Sequence, residues 1–430
     1  MMKFTAAGDA IIQRRIQEGF AGLQEITPFV KRGDARFFNL ETTLNREGEC
    51  FASQFSGGTY IRTNPEMLED MKKFGFNMTS FNNNHAMDFS YEGLAKTLEH
   101  LNHSGMVHAG VGRNLDEAAA PRYLETPNGR VALIAVNTSF NPAMMAGVQG
   151  KRVLGRPGIN GIRIEEKVIV SKEELEVVRS LAKKTNINAS KEITRKEGYY
   201  PEVPEHQVEF GTLLFEAGET TEFCQTVNQV DMERVEKAIY EASFQADYTI
   251  ISVHSHQLSG DKKETPSKFL CDFAHACIDA GANAVVGHGP HLLRPIEIYK
   301  DCPIFYSLGD FILQLYSVEF APEDFYNKYG LTTDATMHQL LKQRSKNFTV
   351  GLMEDRRMVQ TVVPYWETKN GKITKLELLP LESPLKGNKS ENGLPRLATD
   401  MEFIDRLAEM SAYSGICMKV GKDSIITCEW

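Results

Sequence analysis

The sequence is short of several features that would place it in particular protein classes. Its net charge is −9, so it has no overall basic field of the kind that nucleic-acid-binding proteins use, and we expect no nucleic acid among its partners. It contains no run of about 18 apolar residues, and its first ten residues, MMKFTAAGDA, lack the apolar region of a secretory signal. These absences predict a cytoplasmic protein without a membrane anchor.

Cysteine usage excludes two further classes. The seven cysteines are an odd number and form no Cys-x-x-Cys pair. This pattern is typical of reduced thiols and not of a disulfide framework or a zinc knuckle. With 430 residues, of which 42% are hydrophobic and 24% charged, the chain has the composition and the length of a globular protein with a large core.

Strand-like and helix-like stretches alternate over residues 1–310. Short apolar runs are followed by stretches with apolar residues at helical spacing, which favours an α/β fold with a largely parallel or mixed sheet. Strands are predicted at 3–7, 35–38, 78–81, 130–136, 247–253, 284–286 and 303–306, and helices at 65–74, 91–103, 232–244 and 268–280.

One segment inside this region departs from the alternation. Residues 140–231 are polar and rich in charge, with a predicted helix at 172–184 and a segment rich in Pro and Glu at 199–206. We interpret 140–231 as an insertion on the substrate side of the site.

The C-terminal part has a different pattern. Strands predicted at 358–366 and 372–379 flank Asn370-Gly371, a hairpin turn signal, and a helix is predicted at 400–411. We therefore divide the chain into a main domain, 1–346, and a C-terminal extension, 347–430, whose β-hairpin and helix complete the fold.

Nearly every predicted strand ends in a residue that can bind a metal ion. Because the carboxyl ends of parallel strands meet at one edge of a sheet, we expect these side chains to converge. Carboxylate, imidazole and amide ligands together suit Mn, Fe or Zn better than Ca²⁺, and a bridging carboxylate is a usual means of holding two ions. The residues are Asp9, Glu41, Asn84, His85, His254, His288 and His291.

Each of these residues taken singly has a purely structural explanation. Asp9 follows a glycine and could be a turn residue, Glu41 could be a surface charge, and His254 could be a hydrogen-bonded core histidine. The stretch GHGPH, residues 287–291, is harder to explain in this way, because two histidines three residues apart on a tight turn can point into one site. The set as a whole therefore indicates a metal site.

Longer motifs carry a family resemblance. FNNNHAMDFSYEGL resembles the Gly-Asn-His-type motif of calcineurin-like metallophosphoesterases, and especially its form in the CapA family of poly-γ-glutamate capsule biosynthesis proteins. The likeness covers about residues 1–313 and continues more weakly through GLPRLATDMEFIDRLAEMSA. Further motifs occur in the order expected of that family: GDAIIQRR, FFNLETTL, VGRNLDEAAAP, GRPGINGIRI, IISVHSH, CIDAGANAVVGHGPHLLRPIEIY and PIFYSLGDFI.

This resemblance implies a fold, a cofactor and a set of roles. The fold would be a four-layer αββα sandwich of the metallo-dependent phosphatase type, and the cofactor one or two divalent transition-metal ions (Mn, Fe or Zn). His85 would be the general acid or base that serves the substrate. By the same resemblance Asp9 and His291 would bind the first ion, Glu41 would bridge, and Asn84, His254 and His288 would bind the second.

Two motifs depart from those of true phosphoesterases. Where the phosphoesterases have Asp-x-His, this chain has Asp9-Ala10-Ile11, so the first ion site lacks one ligand and could be weak, filled differently by His256, or empty. Where they have Gly-Asp, this chain has Asn39-Leu40-Glu41, which leaves Asn39 and Glu41 as alternative ligands. Glu41 is preferred, because a bridging ligand should be charged.

Two arginines are candidates for binding an anionic substrate. Arg156 and Arg163 flank the turn GRPGINGIR, where a guanidinium could hold a carboxylate or phosphate bidentately. We predict substrate binding by Arg156. The alternative is a surface arginine paired with a nearby glutamate.

Three functions are compatible with these residues. The first is a metal-dependent hydrolase acting on a phosphoester or on a glutamyl or peptide amide, with His85 as general acid or base. The second is a metal-assisted peptide epimerase that abstracts a proton next to a metal-bound carboxylate or amide. The third is a non-catalytic component of poly-γ-glutamate capsule synthesis. The expected partner is a small molecule, a peptide or a glutamyl polymer, and the sequence leaves open whether the chain forms a homo-oligomer.

Overall fold

The computed structural model describes residues 1–351, 354–421 and 423–430, which form two compact units. The first unit comprises 1–161 and 233–430, and the second comprises 162–232. The second unit therefore covers most of the predicted insertion, 140–231, but residues 140–161 belong to the first unit. The C-terminal segment from residue 347 also lies within the first unit.

The first unit contains a large mixed sheet, here called the first sheet, which has ten strands within the described residues. Its central strand, Met2–Ile11, pairs in parallel with Ala35–Leu40 and antiparallel with Gln360–Lys369. In spatial order the main path is Cys417–Val420, Ile426–Glu429, Lys372–Glu382, Gln360–Lys369, Met2–Ile11, Ala35–Leu40, Met78–Ser80 and Val107–Ala109, while Asp310–Leu313 pairs with Met2–Ile11 and Arg396–Leu397 pairs with Lys372–Glu382.

The second sheet has six strands in the described chain. Its central strand, Tyr248–His254, is parallel to both neighbours and buried at every position. Such complete burial explains its continuous apolar run, because both faces of a covered parallel strand meet protein. The spatial order is Ile296–Tyr299, Cys302–Phe305, Ala284–His288, Tyr248–His254, Gly129–Asn137 and Arg122–Thr126.

The two sheets face each other across one apolar core. Phe4 of the first sheet stacks on Trp366, with ring centroids 5.0 Å apart, and lies 5.1 Å from the ring of Tyr248 in the second sheet. Each large apolar side chain buried in this way stabilises the fold by roughly 1.5–3 kcal/mol relative to exposure. Other members of the same cluster are Ala6, Phe37 and Met78 from the first sheet and Leu133, Ile250, Val286 and Phe305 from the second.

Helices cover the outer faces of both sheets. Apolar side chains of Ala21–Val30, Met67–Lys73 and Ser90–Ser104 form a second core with the first sheet. The helix Lys268–Asp279 packs on the second sheet through buried residues such as Phe273, and residues 233–243 of the helix Gln229–Ser243 lie beside its C-terminal end. The result is the four-layer αββα sandwich that the family resemblance implied.

Shorter elements complete the first unit. They include the helices Leu115–Ala119, Glu323–Asn327, Met337–Arg344 and Glu402–Ser411, the 3₁₀ turns Pro142–Met144, Leu315–Ser317, Arg356–Val359 and Ala412–Ser414, and the paired short strands Thr43–Leu44 with Arg62–Thr63 and Val111–Gly112 with Gly158–Ile159. Met337–Arg344 and Leu315–Ser317 share a satellite apolar cluster.

The second unit has its own small sheet and core. Its strands run in the order Gln207–Phe210, Leu213–Ala217, Ile164–Val170 and Glu222–Val227, accompanied by the helices Lys172–Thr185 and Ala189–Lys196. Val170, Leu175 and Val208 form the buried centre of this unit. The sequence pattern predicted the first helix but not the sheet. These strands carry many charged, partly exposed residues and so lack the apolar run by which a strand is recognised.

Two further observations concern membrane-spanning helices and cysteines. Within the described ranges, no helix combines the length and the apolar character needed to cross a bilayer. All seven cysteines have free thiols, and they range from buried to exposed.

Candidate metal centre

The carboxyl ends of the central strands of both sheets meet at one place. In the first sheet, Asp9 is in register with Asn39 on one side and Asp310 on the other. In the second sheet, His254 is in register with His288. The sheets are joined there, because the Gly289 N–H donates to Asp9 Oδ2 at 2.8 Å. Residues far apart in the sequence are thus placed together by strand order and register.

Three overlapping groups of side chains could each hold a metal ion, with all ligand atoms of a group within 4.8 Å of one another. Asp9, Glu41 and His254 each belong to two groups, and such sharing is what two neighbouring ions require. The groups are Asp9, His254 and His288; Glu41, His254 and His256; and Asp9, Glu41, His291 and Asp310.

Several buried oxygens at this centre have no hydrogen-bond donor among the described residues. They are both carboxylate oxygens of Glu41, Oδ2 of Asp310 and Oδ1 of Asn84. A buried acceptor left in this state costs about 1–3 kcal/mol, and more if it is charged. Together with the imidazole nitrogens of the histidines, they form the mixed oxygen and nitrogen ligand set that divalent transition metals prefer. The residues present therefore fit a metal centre.

The charges at the centre show the same need for a cation. Burial, followed by the charge of Asp310, raises the pKa of Asp9 to about 7. Burial and the charges of Asp9 and Asp310 raise the pKa of Glu41 well above its usual value. Burial lowers the pKa of His288 to about 3, so this imidazole is neutral and its nitrogens can act as ligands. Added positive charge stabilises three carboxylates buried this close together, and a bound metal ion supplies it.

His85 is held in one orientation by Asp88. The Nδ1 atom of His85 lies 2.7 Å from Asp88 Oδ2, and Asp88 in turn accepts from the N–H groups of Gly57 at 3.0 Å and Ile61 at 2.8 Å. A carboxylate acceptor at Nδ1 assigns the proton to that nitrogen. The other nitrogen, Nε2, faces the centre, 3.9 Å from Glu41 Oε1.

A glycine is required next to this histidine. A Cβ atom on Gly57 would lie 2.7 Å from the ring of His85 and equally close to Nδ2 of Asn84. The carbonyl of Gly57 accepts from that same Nδ2 at 2.9 Å, which leaves Oδ1 of Asn84 as its unbonded atom. The loop at Gly57 thus fixes the amide of Asn84 with its oxygen as the available ligand.

The two asparagines before Asn84 bind backbone. Asn82 Nδ2 donates to the carbonyls of Ala135 and Asn160, both at 3.0 Å, and Asn83 Nδ2 donates to the Leu40 carbonyl at 2.8 Å. These bonds fasten the turn to strand ends of both sheets. Their placement explains why three consecutive asparagines precede His85.

Asp310 is a candidate metal ligand that the sequence prediction did not include. It accepts from His291 Nδ1 at 2.9 Å and completes the group that contains Asp9 and Glu41. His291 has a left-handed backbone, with φ of 60°, which costs about 1–3 kcal/mol in a residue other than glycine and is typical of functional sites. A signal was present, since Gly309-Asp310 follows a predicted strand just as Gly8-Asp9 does.

The structure bears on two alternatives left open by the sequence. His256 groups with Glu41 and His254 and not with His291 and Asp310, and its role at the first ion site stays a prediction. Asn39 Nδ2 donates to Asp9 Oδ1 at 2.6 Å and so orients that carboxylate. The geometry favours Glu41 over Asn39 as the shared ligand.

Among the described hydrogen bonds and ion pairs Arg156 has no contact with a residue of the metal centre, and substrate binding by Arg156 stays a prediction. Its side chain is exposed, and Nε and Nη2 both donate to the carbonyl of Met145, at 3.2 and 3.0 Å. Arg163 pairs at 2.8 Å with Asp231, an aspartate where the alternative expected a glutamate.

A cavity of about 270 Å³ opens beside the centre. Asn84 and His256 form part of its wall, next to the aromatic rings of Phe55 and Phe140. Among its lining residues none carries a carboxylate, an ammonium or a guanidinium group. The part of a substrate that lies here would be in contact with neutral and aromatic groups.

Comparisons with known proteins agree with the motifs. The family model for the "Bacterial capsule synthesis protein PGA_cap" matches residues 3–315. An uncharacterized protein of Sinorhizobium fredii is 31% identical over 419 residues, which cover 95% of this chain and 88% of that protein. The PGA biosynthesis protein CapA of Bacillus subtilis is 24% identical over 289 residues, which cover 67% of this chain and 56% of that protein.

Solved structures give more distant likenesses. A hypothetical protein from Thermus thermophilus superposes with a TM-score of 0.40 and 12% sequence identity, covering 89% of this chain and 100% of that chain. The family match spans the second sheet, the strands of the first sheet that precede residue 315 and the residues of the candidate metal centre. On that evidence the chain belongs to the bacterial capsule synthesis (PGA_cap) family.

Proposed function

We propose that this chain is a metal-dependent hydrolase that acts on a phosphoester or on a glutamyl or peptide amide. The observation that most supports this function is the set of buried, unbonded oxygens of Glu41, Asn84 and Asp310 beside the imidazoles of His254 and His288. One or two ions of Mn, Fe or Zn would be held by these residues with Asp9 and His291. Bound there, such ions polarise a scissile group and lower the pKa of water.

His85 would perform the proton transfer. Because Nδ1 is engaged by Asp88, the nitrogen that faces the centre is Nε2. From that position it can give a proton to a leaving group or take one from an attacking water. Asp88 keeps the ring oriented and stabilises its protonated form, so it is a positioning residue.

The family supports a proposal for the substrate class. Relatives are named as PGA biosynthesis and capsule biosynthesis proteins, which makes a glutamyl polymer or a fragment of one the first candidate. The neutral cavity next to Asn84 and His256 also admits a peptide backbone.

The test combines metal analysis with a substrate screen. The purified protein should contain at least one Mn, Fe or Zn ion per chain, and the loaded protein should hydrolyse at least one of p-nitrophenyl phosphate, bis-p-nitrophenyl phosphate and γ-glutamyl-p-nitroanilide. His288→Ala should lose the metal, whereas His275→Ala, a histidine paired with Glu297 outside the centre, should retain it.

Three outcomes would redirect the proposal. Absence of bound metal after reconstitution would refute it. Exchange of a peptide Cα proton for deuterium without hydrolysis would favour the epimerase. A metal-loaded protein that turns over no compound in either assay would favour a non-catalytic role in capsule synthesis.

A further inference from the structure

A second cavity, of about 430 Å³, carries two basic side chains at its mouth. Lys263 and Arg344 both line it and are both exposed. Its inner wall is aliphatic and includes Leu315, Leu341 and Met358. A charged rim over an aliphatic wall suits a ligand with a short hydrocarbon stem and a charged end.

Lys263 is attached to the metal centre through Arg294. The guanidinium of Arg294 is buried and donates to the carbonyls of Lys263 at 3.0 Å, Gln257 at 2.8 Å and Ser255 at 3.4 Å. Ser255 and Gln257 flank His256 in the loop that follows His254, so the backbone of Lys263 is fixed to the loop of two candidate ligands. Burial lowers the pKa of the Lys263 ammonium, and the charges of Asp355 and then Asp310 act in the opposite direction.

Arg344 is attached to the other side of the centre. Its Nη1 donates to the hydroxyl of Thr59 at 2.6 Å. Thr59 lies two residues after Gly57, whose backbone binds both Asn84 and Asp88. Hydrogen bonds therefore link Lys263, through Arg294, to the loop after His254, and Arg344, through Thr59, to the loop at Gly57.

Neither cation is neutralised by a carboxylate within the described chain. No Asp or Glu lies within 4.0 Å of the Lys263 ammonium or the Arg344 guanidinium among the described ion pairs. Asp355, the acidic residue in the cavity wall, is bonded to Arg357 by both of its oxygens. In a chain with a net charge of −9, this cavity therefore carries two cations that lack a carboxylate partner among the described ion pairs.

We infer that this cavity receives an oxyanion group of the substrate, a carboxylate or a phosphate on a short aliphatic stem, and that Lys263 and Arg344 determine this specificity. Arg344 can bind such a group through two parallel N–H donors, and Lys263 adds a point charge. The inference rests on the proposed function, since it assigns part of the substrate of that same centre. It gives the role predicted for Arg156 to two other residues.

The test measures binding and hydrolysis in matched variants. Lys263→Gln and Arg344→Gln are compared with Lys262→Gln and Lys342→Gln, exposed neighbours that do not line this cavity, and with Arg156→Gln. Titration calorimetry of the manganese-loaded proteins uses γ-glutamylglutamate as the carboxylate probe and O-phosphoserine as the phosphate probe. Each cavity variant should raise the Kd for one probe about fivefold, the effect of losing one exposed charge contact, while metal content and Tm stay unchanged.

The probe that responds identifies the oxyanion. Equal affinity in the wild-type protein and both cavity variants would overturn the inference, as would an equal loss in the control variants or a wild-type protein that binds neither probe. If the cavity variants weaken binding but the wild-type protein hydrolyses nothing, the proposed function fails and the binding site remains. If hydrolysis proceeds with unchanged KM in the cavity variants, the inference alone fails.

Discussion

Single side chains at the centre have separable tasks that follow from their unbonded atoms. Glu41 and Asp310 present oxygens that lack a donor in the described structure, whereas Asp88 has every carboxylate contact directed to His85 or to backbone N–H groups. Asn39 contacts Asp9 through its amide nitrogen. The unbonded oxygens of Glu41 and Asp310 are therefore available to a metal ion, whereas the contacts of Asp88 orient His85.

Asp310→Asn should weaken metal binding. The substitution keeps the shape of the side chain but removes the negative charge from the group that contains Asp9, Glu41 and His291, so we expect at least about a tenfold loss in affinity. Metal content after dialysis against a weak chelator measures this loss. Asp301→Asn, an exposed carboxylate paired with Lys372, is the control; equal metal retention in both variants would exclude Asp310 as a ligand.

His85→Gln should retain metal and lose turnover. General acid–base catalysis typically contributes about 10²–10⁴-fold, so kcat should fall by that factor on any substrate found in the screen. Asp88→Asn should lower kcat and change its pH profile, because Asn Oδ1 can still accept a hydrogen bond from Nδ1 but no longer stabilises the imidazolium. Loss of metal in His85→Gln, to the extent seen in His288→Ala, would contradict this division of roles.

At the level of elements, the turn after Met78–Ser80 connects the two sheets. Asn82 donates to the carbonyls of Ala135 and Asn160. Ala135 lies in the strand Gly129–Asn137 of the second sheet, and Asn160 follows the short strand Gly158–Ile159. All three residues are buried. The asparagine turn therefore contributes to the stability of the sandwich as well as to the site.

Asn82→Ala should reduce the free energy of unfolding by about 1–3 kcal/mol, because it removes two buried hydrogen bonds, each worth about 0.5–1.5 kcal/mol. Each carbonyl keeps a second donor, Asn160 Nδ2 at Ala135 and the Asn137 N–H at Asn160, so neither is left unbonded. Urea unfolding of Asn128→Ala, an exposed asparagine bonded to Asp34, provides the comparison. If the two variants unfold at the same urea concentration, the hydrogen bonds of Asn82 between the sheets do not contribute to the free energy of unfolding.

For the whole molecule, the buried charge of the centre links stability to metal and to pH. In the metal-free protein the pKa of Asp9 is raised from 3.8 to about 7 and that of Glu41 is raised well above 4.5. The folded state therefore binds these protons more tightly than the unfolded state, and stability is lost as pH rises through the folded pKa. The buried histidines with lowered pKa act in the opposite sense only below about pH 6.5, where the unfolded chain is protonated.

Metal-free protein should thus have a lower Tm at about pH 8 than at about pH 6.5, and Mn²⁺ should raise the Tm more at the higher pH. Ligand at 100 times its Kd stabilises by about 2.7 kcal/mol. Thermal unfolding with EDTA and with Mn²⁺ at both pH values measures these differences in Tm. Asp9→Asn should flatten the metal-free difference; a metal-free Tm that rises with pH would show that the buried carboxylates do not determine stability.

The sequence by itself determined the local elements and the types of ligand. Helices predicted at 91–103 and 172–184 are observed at Ser90–Ser104 and Lys172–Thr185, and the hairpin predicted around Asn370-Gly371 is observed between Gln360–Lys369 and Lys372–Glu382. These features depend on periodicity and turn residues within a short window, which the sequence displays directly. The order of the motifs also indicated the family, and the resemblance to that family implied the four-layer fold.

Only the tertiary structure decided which distant residues share one site. Register between Met2–Ile11 and Asp310–Leu313 places Asp310 opposite Asp9, and the bonds of Arg294 place Lys263 near the ligand loop. A basic residue in a loop has the same local sequence pattern whether it binds a backbone carbonyl, as Arg156 does, or lines a cavity, as Lys263 does. Strand order and buried hydrogen bonds are set by contacts between segments hundreds of residues apart, and such contacts leave no periodic trace in the sequence.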